Sequence, residues 1–203
     1  MIRSVLPQLA VGWLLVLNTG AMAGQHPLLN ALQPYCQQAF AGRLISDDAA
    51  DATMQGLPMV VHLQYCRPGE MRLAFHVGAD ASRTWVLRQL PAGLQLKHEH
   101  MHDDGSSDEL TRYGGLSAKL AAAPMAPLQV DFPADGYSQQ LFSALGRNAA
   151  RQNIWRFGWQ AGQLTYSLRR DGRYFAVQFD FSQPVALPAV AWGAPGWADL
   201  RQQ

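Results

Sequence analysis

Cysteine is scarce in this chain, charge is sparse, and long apolar runs are missing after the first 23 residues. Each shortage excludes something. Charged residues make up 15% of the sequence, below the roughly one quarter of ordinary soluble domains. The 16 basic residues nearly balance the 15 acidic ones. A chain without a basic field has nothing to hold DNA, RNA or an anionic membrane, so no nucleic-acid partner is expected. Also absent are G-x-S-x-G, a P-loop and G-x-G-x-x-G, which leaves nucleophilic hydrolase and nucleotide-binding readings without support. No later segment approaches the roughly 20 apolar residues that span a bilayer. Hydrophobic content, at 48%, is that of a folding domain, which excludes disorder for most of the chain.

The N-terminus carries the pattern of a secretory leader. Arg3 gives the positive start, Val11 to Leu17 the apolar middle, and Ala21-Met22-Ala23 an A-x-A cleavage site. Residues 1–23 are therefore expected to be a signal peptide and 24–203 one domain, secreted or periplasmic, with no stable membrane span after cleavage. Removing Arg3 makes the mature chain formally neutral. In an oxidising compartment the pair Cys36 and Cys66 reads as one disulfide tying the N-terminal segment to an early strand. In the chain-entropy model such a loop contributes roughly 3 kcal/mol.

Along the mature chain the hydrophobic period begins helical and then becomes two. Leu28, Leu29, Leu32, Cys36 and Phe40 fall at helical spacing over 26–40, with Pro34 as a shortening element. The polar stretch 46–56 reads as a loop. From Met59 onward, alternating runs are separated by turn chemistry: 59–66 and 71–77 around Pro68-Gly69, then 83–90 and 94–102 around Pro91-Ala92-Gly93. Three more runs, 153–160, 163–170 and 173–181, are joined by Ala161-Gly162 and Asp171-Gly172. The stretch 116–127 reads as a loop, and 138–146 as a second short helix. The tail after Pro184 reads as an irregular strap whose tryptophans, Trp192 and Trp197, cover an end or edge. These signals predict a mainly β, single-domain antiparallel barrel or strongly curved sheet with a short N-terminal helix.

Three of the six histidines fall within five residues, in His98-Glu99-His100-Met101-His102, followed by Asp103-Asp104-Gly105. Alternation places Leu94, Leu96, His98, His100 and His102 on one face, so the histidines are expected to continue the inward face toward one end of the sheet. Inward polar groups need partners, since an unpaired one costs roughly 1–3 kcal/mol. Three uses compete. The histidines can be hydrogen-bonded core groups, as in a structural module of the cell envelope. They can bind a zinc-like divalent cation for water activation in a hydrolase-type reaction, with His98 and His100 as ligands and a third from another strand, His62 or His76, or else Asp80 or Glu109. All three on one strand cannot share an ion, because His98 and His102 would stand ~13 Å apart. They can instead form the polar end of an apolar cavity for a small molecule, with His98, His100, His102, Asp103 and Tyr113 as contacts. This third use carries the expectation of a small-molecule ligand.

The block Leu96 to Gly115 (L-K-H-E-H-M-H-D-D-G-S-S-D-E-L-T-R-Y-G-G), with S-R-T-W-V-L (Ser82 to Leu87), V-D-F-P-A-D (Val130 to Asp135), F-D-F-S-Q-P-V (Phe179 to Val185) and A-W-G (Ala191 to Gly193), resembles a family of bacterial exported proteins. The resemblance covers most of the mature chain. It implies that the histidine row, Asp103, Gly105, Tyr113 and the paired glycines form one unit, and it brings no reaction with it. The family has Arg where this chain has Met101, so an anion-binding role there is not expected. By architecture alone, a lipocalin-like barrel is the fold implied.

Overall fold

The computed structural model describes residues 24–118 and 127–194. The expected leader at 1–23, most of the 116–127 loop and Trp197 lie outside the described residues. The chain is mainly β. Strands β1 (Ala39–Leu44), β2 (Met59–Arg67), β3 (Glu70–Val77), β4 (Asp80–Leu90), β5 (Gly93–His100), β6 (Tyr113–Leu116), β7 (Leu128–Pro133), β8 (Ile154–Gln160), β9 (Gln163–Arg170) and β10 (Arg173–Val185) pair antiparallel in one sheet. Two short α-helices, α1 (Pro27–Leu32) and α2 (Gly136–Ala144), accompany it, with 3-10 turns at Gln33–Tyr35, Ala49–Met54 and Asn148–Gln152.

The sheet order is β6-β5-β4-β3-β2-β1-β10-β9-β8-β7, so two meanders are stitched together by β1. Within each meander, neighbours in sequence are neighbours in space, as the turn chemistry leads one to expect. At Ala161-Gly162 both residues have positive φ, 48° and 77°, the dihedrals of a two-residue turn whose twist matches the strands it joins. The ends of the sheet, β6 and β7, meet at the bridge Gly115–Ala134 and at a hydrogen bond from the Asp135 N–H to the Gly114 carbonyl, 3.0 Å. The sheet thereby becomes a nearly closed barrel. Glycine is required at this seam: a Cβ on Gly115 would stand 2.1 Å from the Pro133 carbonyl oxygen.

The core fills the barrel from both meanders, and α1 contributes Leu28, Leu29 and Leu32, all fully buried. The His26 N–H donates to Gln89 Oε1 (2.7 Å), which places α1 at the end of the barrel where β4 finishes. His26 also caps α1, its Nδ1 accepting from the Leu28 N–H at 3.2 Å. The expected helix over 26–40 is shorter than its periodicity suggested. Pro34 lacks an N–H and sits in a 3-10 turn, Cys36 turns away to bond Cys66, and Phe40 belongs to β1. The disulfide closes a separation of 30 residues and joins the segment after α1 to β2.

Two further expectations need correction. The 46–56 stretch is not plain loop: Asp48 accepts from the Ala50 N–H (2.9 Å) and starts a 3-10 turn. The strand expected over 94–102 ends at His100, where the chain enters a tight turn with the His102 N–H bonded to the Ser106 carbonyl. In the tail, the Trp192 N–H donates to the Ala81 carbonyl (3.0 Å) and Gly193 packs on Met101, so the strap crosses the start of β4.

Candidate functional site

The inward face is set by cross-strand rows. Leu63, Leu73, Trp85, His98 and Tyr113 are successive partners across β2 to β6, and paired residues share a face. The adjacent row, His62, Ala74, Thr84 and Glu99, faces the other way. Because Leu63, Leu73 and Trp85 belong to the core, His98 points into the barrel and His62 does not. His76, next to core Phe75, likewise lies on the outer side of β3.

Inside, His98 is fastened at both ring nitrogens. Nδ1 lies 3.1 Å from the Tyr113 carbonyl oxygen and Nε2 2.6 Å from the Tyr166 hydroxyl, which reaches across from β9. A carbonyl only accepts, so Nδ1 carries the proton and Nε2 accepts from the phenol. The ring is thus neutral. Burial holds its pKa down to about 3, and burial raises the Tyr113 phenol to about 12 and that of Tyr166 well above its ordinary range. None of the three groups titrates near neutrality. At pH 7 His98 is neutral, with both ring nitrogens engaged in hydrogen bonds.

These groups border a cavity of about 500 Å³ at the end of the barrel opposite α1. Its walls are aromatic: Phe75, Trp85, Phe142, Trp155 and Phe175 surround His98, Tyr113 and Tyr166. Trp85 stacks on Tyr166 with centroids 4.2 Å apart, and His98 stacks on Tyr113 at 4.6 Å. Helix α2 supplies Phe142, and the 3-10 turn Asn148–Gln152 supplies the small side chain of Ala150. Asp135 fixes α2 by accepting from the Ser138 N–H (3.0 Å) and from Lys97 Nζ (2.6 Å).

At the rim the character changes. Arg83, Arg147, Arg170 and Arg173 line the cavity together with one carboxylate, Asp51. Arg173 is held by Asp48 (3.0 Å) and Asp51 (2.8 Å), and Arg83 by Asp80 (2.6 Å). Arg170 has the neutral amide of Asn153 as partner, at 3.1 Å.

Of the residues singled out from the sequence, His98 and Tyr113 line the cavity. His100 does not: its Nε2 bonds Ser82 Oγ (2.9 Å), and its Nδ1 lies 3.9 Å from Asp108. His102 and Asp103 are exposed in the turn beyond β5. Of the three histidines only His98 lines the cavity: His100, the last residue of β5 and the cross-strand partner of Arg83, is engaged with Ser82, and His102 lies beyond the strand. His62 and His76, the proposed completing ligands, sit on the outer face, Asp80 is engaged with Arg83 and with the Ser82 N–H, and Glu109 is exposed. Among the described residues no three His, Cys, Asp or Glu side chains are grouped to hold a metal ion. No helix among them is long and apolar enough to cross a membrane.

No family model, curated protein or solved structure matches the chain. Its site must be understood from its own residues. Sequence reasoning missed Tyr166, Trp85 and the rim arginines. Trp85 and Tyr166 fall within runs read as strands, but which residues of distant strands meet His98 depends on register and on closure of the sheet. The arginines did leave a signal, the cluster Arg169-Arg170-Asp171-Gly172-Arg173 around one hairpin turn.

Proposed function

We propose that the protein is an exported carrier of small, largely apolar molecules, which occupy the aromatic cavity with their polar end toward Tyr113. The observation that carries this reading is the cavity itself. Its volume of about 500 Å³ lies within the roughly 300–1,000 Å³ of small-molecule sites. It has aromatic walls and one phenol, Tyr113, whose hydroxyl makes no hydrogen bond with a described residue, while the neighbouring Tyr166 hydroxyl is consumed by His98. A core meant only to be packed would be filled, since interiors reach crystal-like density. The disulfide and the leader-like first 23 residues favour action outside the cytoplasm.

The test uses the neutral apolar dye N-phenyl-1-naphthylamine and a variant that fills the mouth, Ala150→Trp. The wild-type protein is expected to bind one dye per chain with an emission blue shift. The variant is expected to bind at least tenfold more weakly while keeping its circular dichroism. Absence of dye binding by the wild type, or equal binding by a folded variant, refutes the assignment.

A further inference from the structure

Four guanidiniums at the mouth of an apolar cavity are more than the fold's own carboxylates neutralise. Asp80 answers Arg83, and Asp48 and Asp51 answer Arg173. Arg170 rests on an uncharged amide. Arg147, which leads into the 3-10 turn Asn148–Gln152, lines the cavity, yet its side chain makes no hydrogen bond or ion pair with a described residue. Two guanidiniums, Arg147 and Arg170, therefore lack a paired carboxylate where the aromatic interior meets solvent, and the four arginines exceed the three carboxylates that pair with them by one positive charge.

Resting on the carrier reading, we propose that the ligand class is the amphipathic organic anion, an apolar body with a carboxylate or comparable headgroup. The body lies among Trp85, Trp155 and Phe142. The headgroup faces Arg147 and Arg170, with the Tyr113 hydroxyl as a neutral donor. Charge-assisted hydrogen bonds from guanidinium to carboxylate are about twice as strong as neutral ones, and the forked guanidinium matches a carboxylate in geometry. A cationic amphiphile of the same body would meet like charge at the rim, which works against binding. An uncharged one would leave both guanidiniums unanswered.

Three probes of one body separate the possibilities: decanoate, decanol and decylammonium, titrated by calorimetry below their micelle concentrations. Decanoate is expected to bind at least tenfold more tightly than decanol, and decylammonium more weakly than either. Arg147→Gln is expected to weaken decanoate by about tenfold, the scale of one charge-assisted bond, and to leave decanol within about twofold. Arg147→Glu is expected to shift preference toward decylammonium. Equal affinity for decanoate and decanol, or a decanoate affinity unmoved by both substitutions, overturns the anion preference and leaves the cavity reading standing. Failure of all three probes overturns both.

Discussion

His98→Leu is the most revealing single perturbation, because leucine matches the ring in bulk and apolar character but can make neither of its hydrogen bonds. In the native barrel Nε2 accepts from the Tyr166 hydroxyl at 2.6 Å and Nδ1–H donates to the Tyr113 carbonyl at 3.1 Å. The substitution strands a buried phenol, at about 1–3 kcal/mol, and forfeits a second bond worth about 1 kcal/mol. The expected loss is about 3 kcal/mol, or roughly 6–12 °C in Tm for a chain of this size. Tyr166→Phe alone should cost about 2 kcal/mol, since it strands Nε2 instead. The double variant should cost about 3 kcal/mol rather than the sum, because once the phenol is gone leucine strands nothing more on that side. Urea denaturation of the four proteins measures this as midpoint shifts at constant slope. Additive losses, or a loss below about 1 kcal/mol for His98→Leu, would refute the pairing and with it the account of why one histidine is kept inside.

Two further outcomes follow from the same geometry. His98 binds its proton at about 3 when folded and near its ordinary 6.5 when unfolded, so acid favours the unfolded chain. Stability should be full above pH 6.5 and decline by up to about 1.4 kcal/mol per pH unit toward pH 3, about 2 kcal/mol being lost by pH 5. His62, which burial lowers to about 4, acts in the same sense, as do His26, His76 and His100. Urea midpoints at pH 7.5 and 5.0 check this, and His98→Leu should flatten the dependence by one proton; an unchanged slope would contradict it. Gly115→Ala should cost about 1–3 kcal/mol, because its Cβ meets the Pro133 carbonyl at the barrel seam, and should speed hydrogen exchange at the Asp135 amide. A neutral substitution would mean that the seam yields freely.

What the residues determine locally is visible without a structure. Apolar alternation marks β2, β3, β4, β5, β8, β9 and β10, and Gly69, Gly162 and Gly172 mark their turns, because period and turn dihedrals are properties of a few adjacent residues. The same holds for α2, read two residues late, and for the cysteine pair. Only the first two residues of β1 fell in the segment read as a helix and the rest was unassigned, since Phe40 fits both periods and only pairing with β2 and β10 decides between them. Strands β6 and β7 were equally hidden: the YGG run and the V-D-F-P-A-D segment are too short to declare themselves, and they become strands by closing the barrel on each other.

The site divides in the same way. Alternation in the sequence was enough to turn His98 inward, while its grouping with Tyr113 was one of three competing uses. Only the tertiary structure decided that His98 alone of the three histidines lines the cavity and that Tyr166 is its partner, that the imidazole is neutral, and that two arginines without a carboxylate partner line the cavity. Each of these depends on register between strands distant in sequence and on the burial that closure creates. Alternation assigns a face to each strand, but a cavity, a pKa and an unanswered charge belong to the assembled barrel.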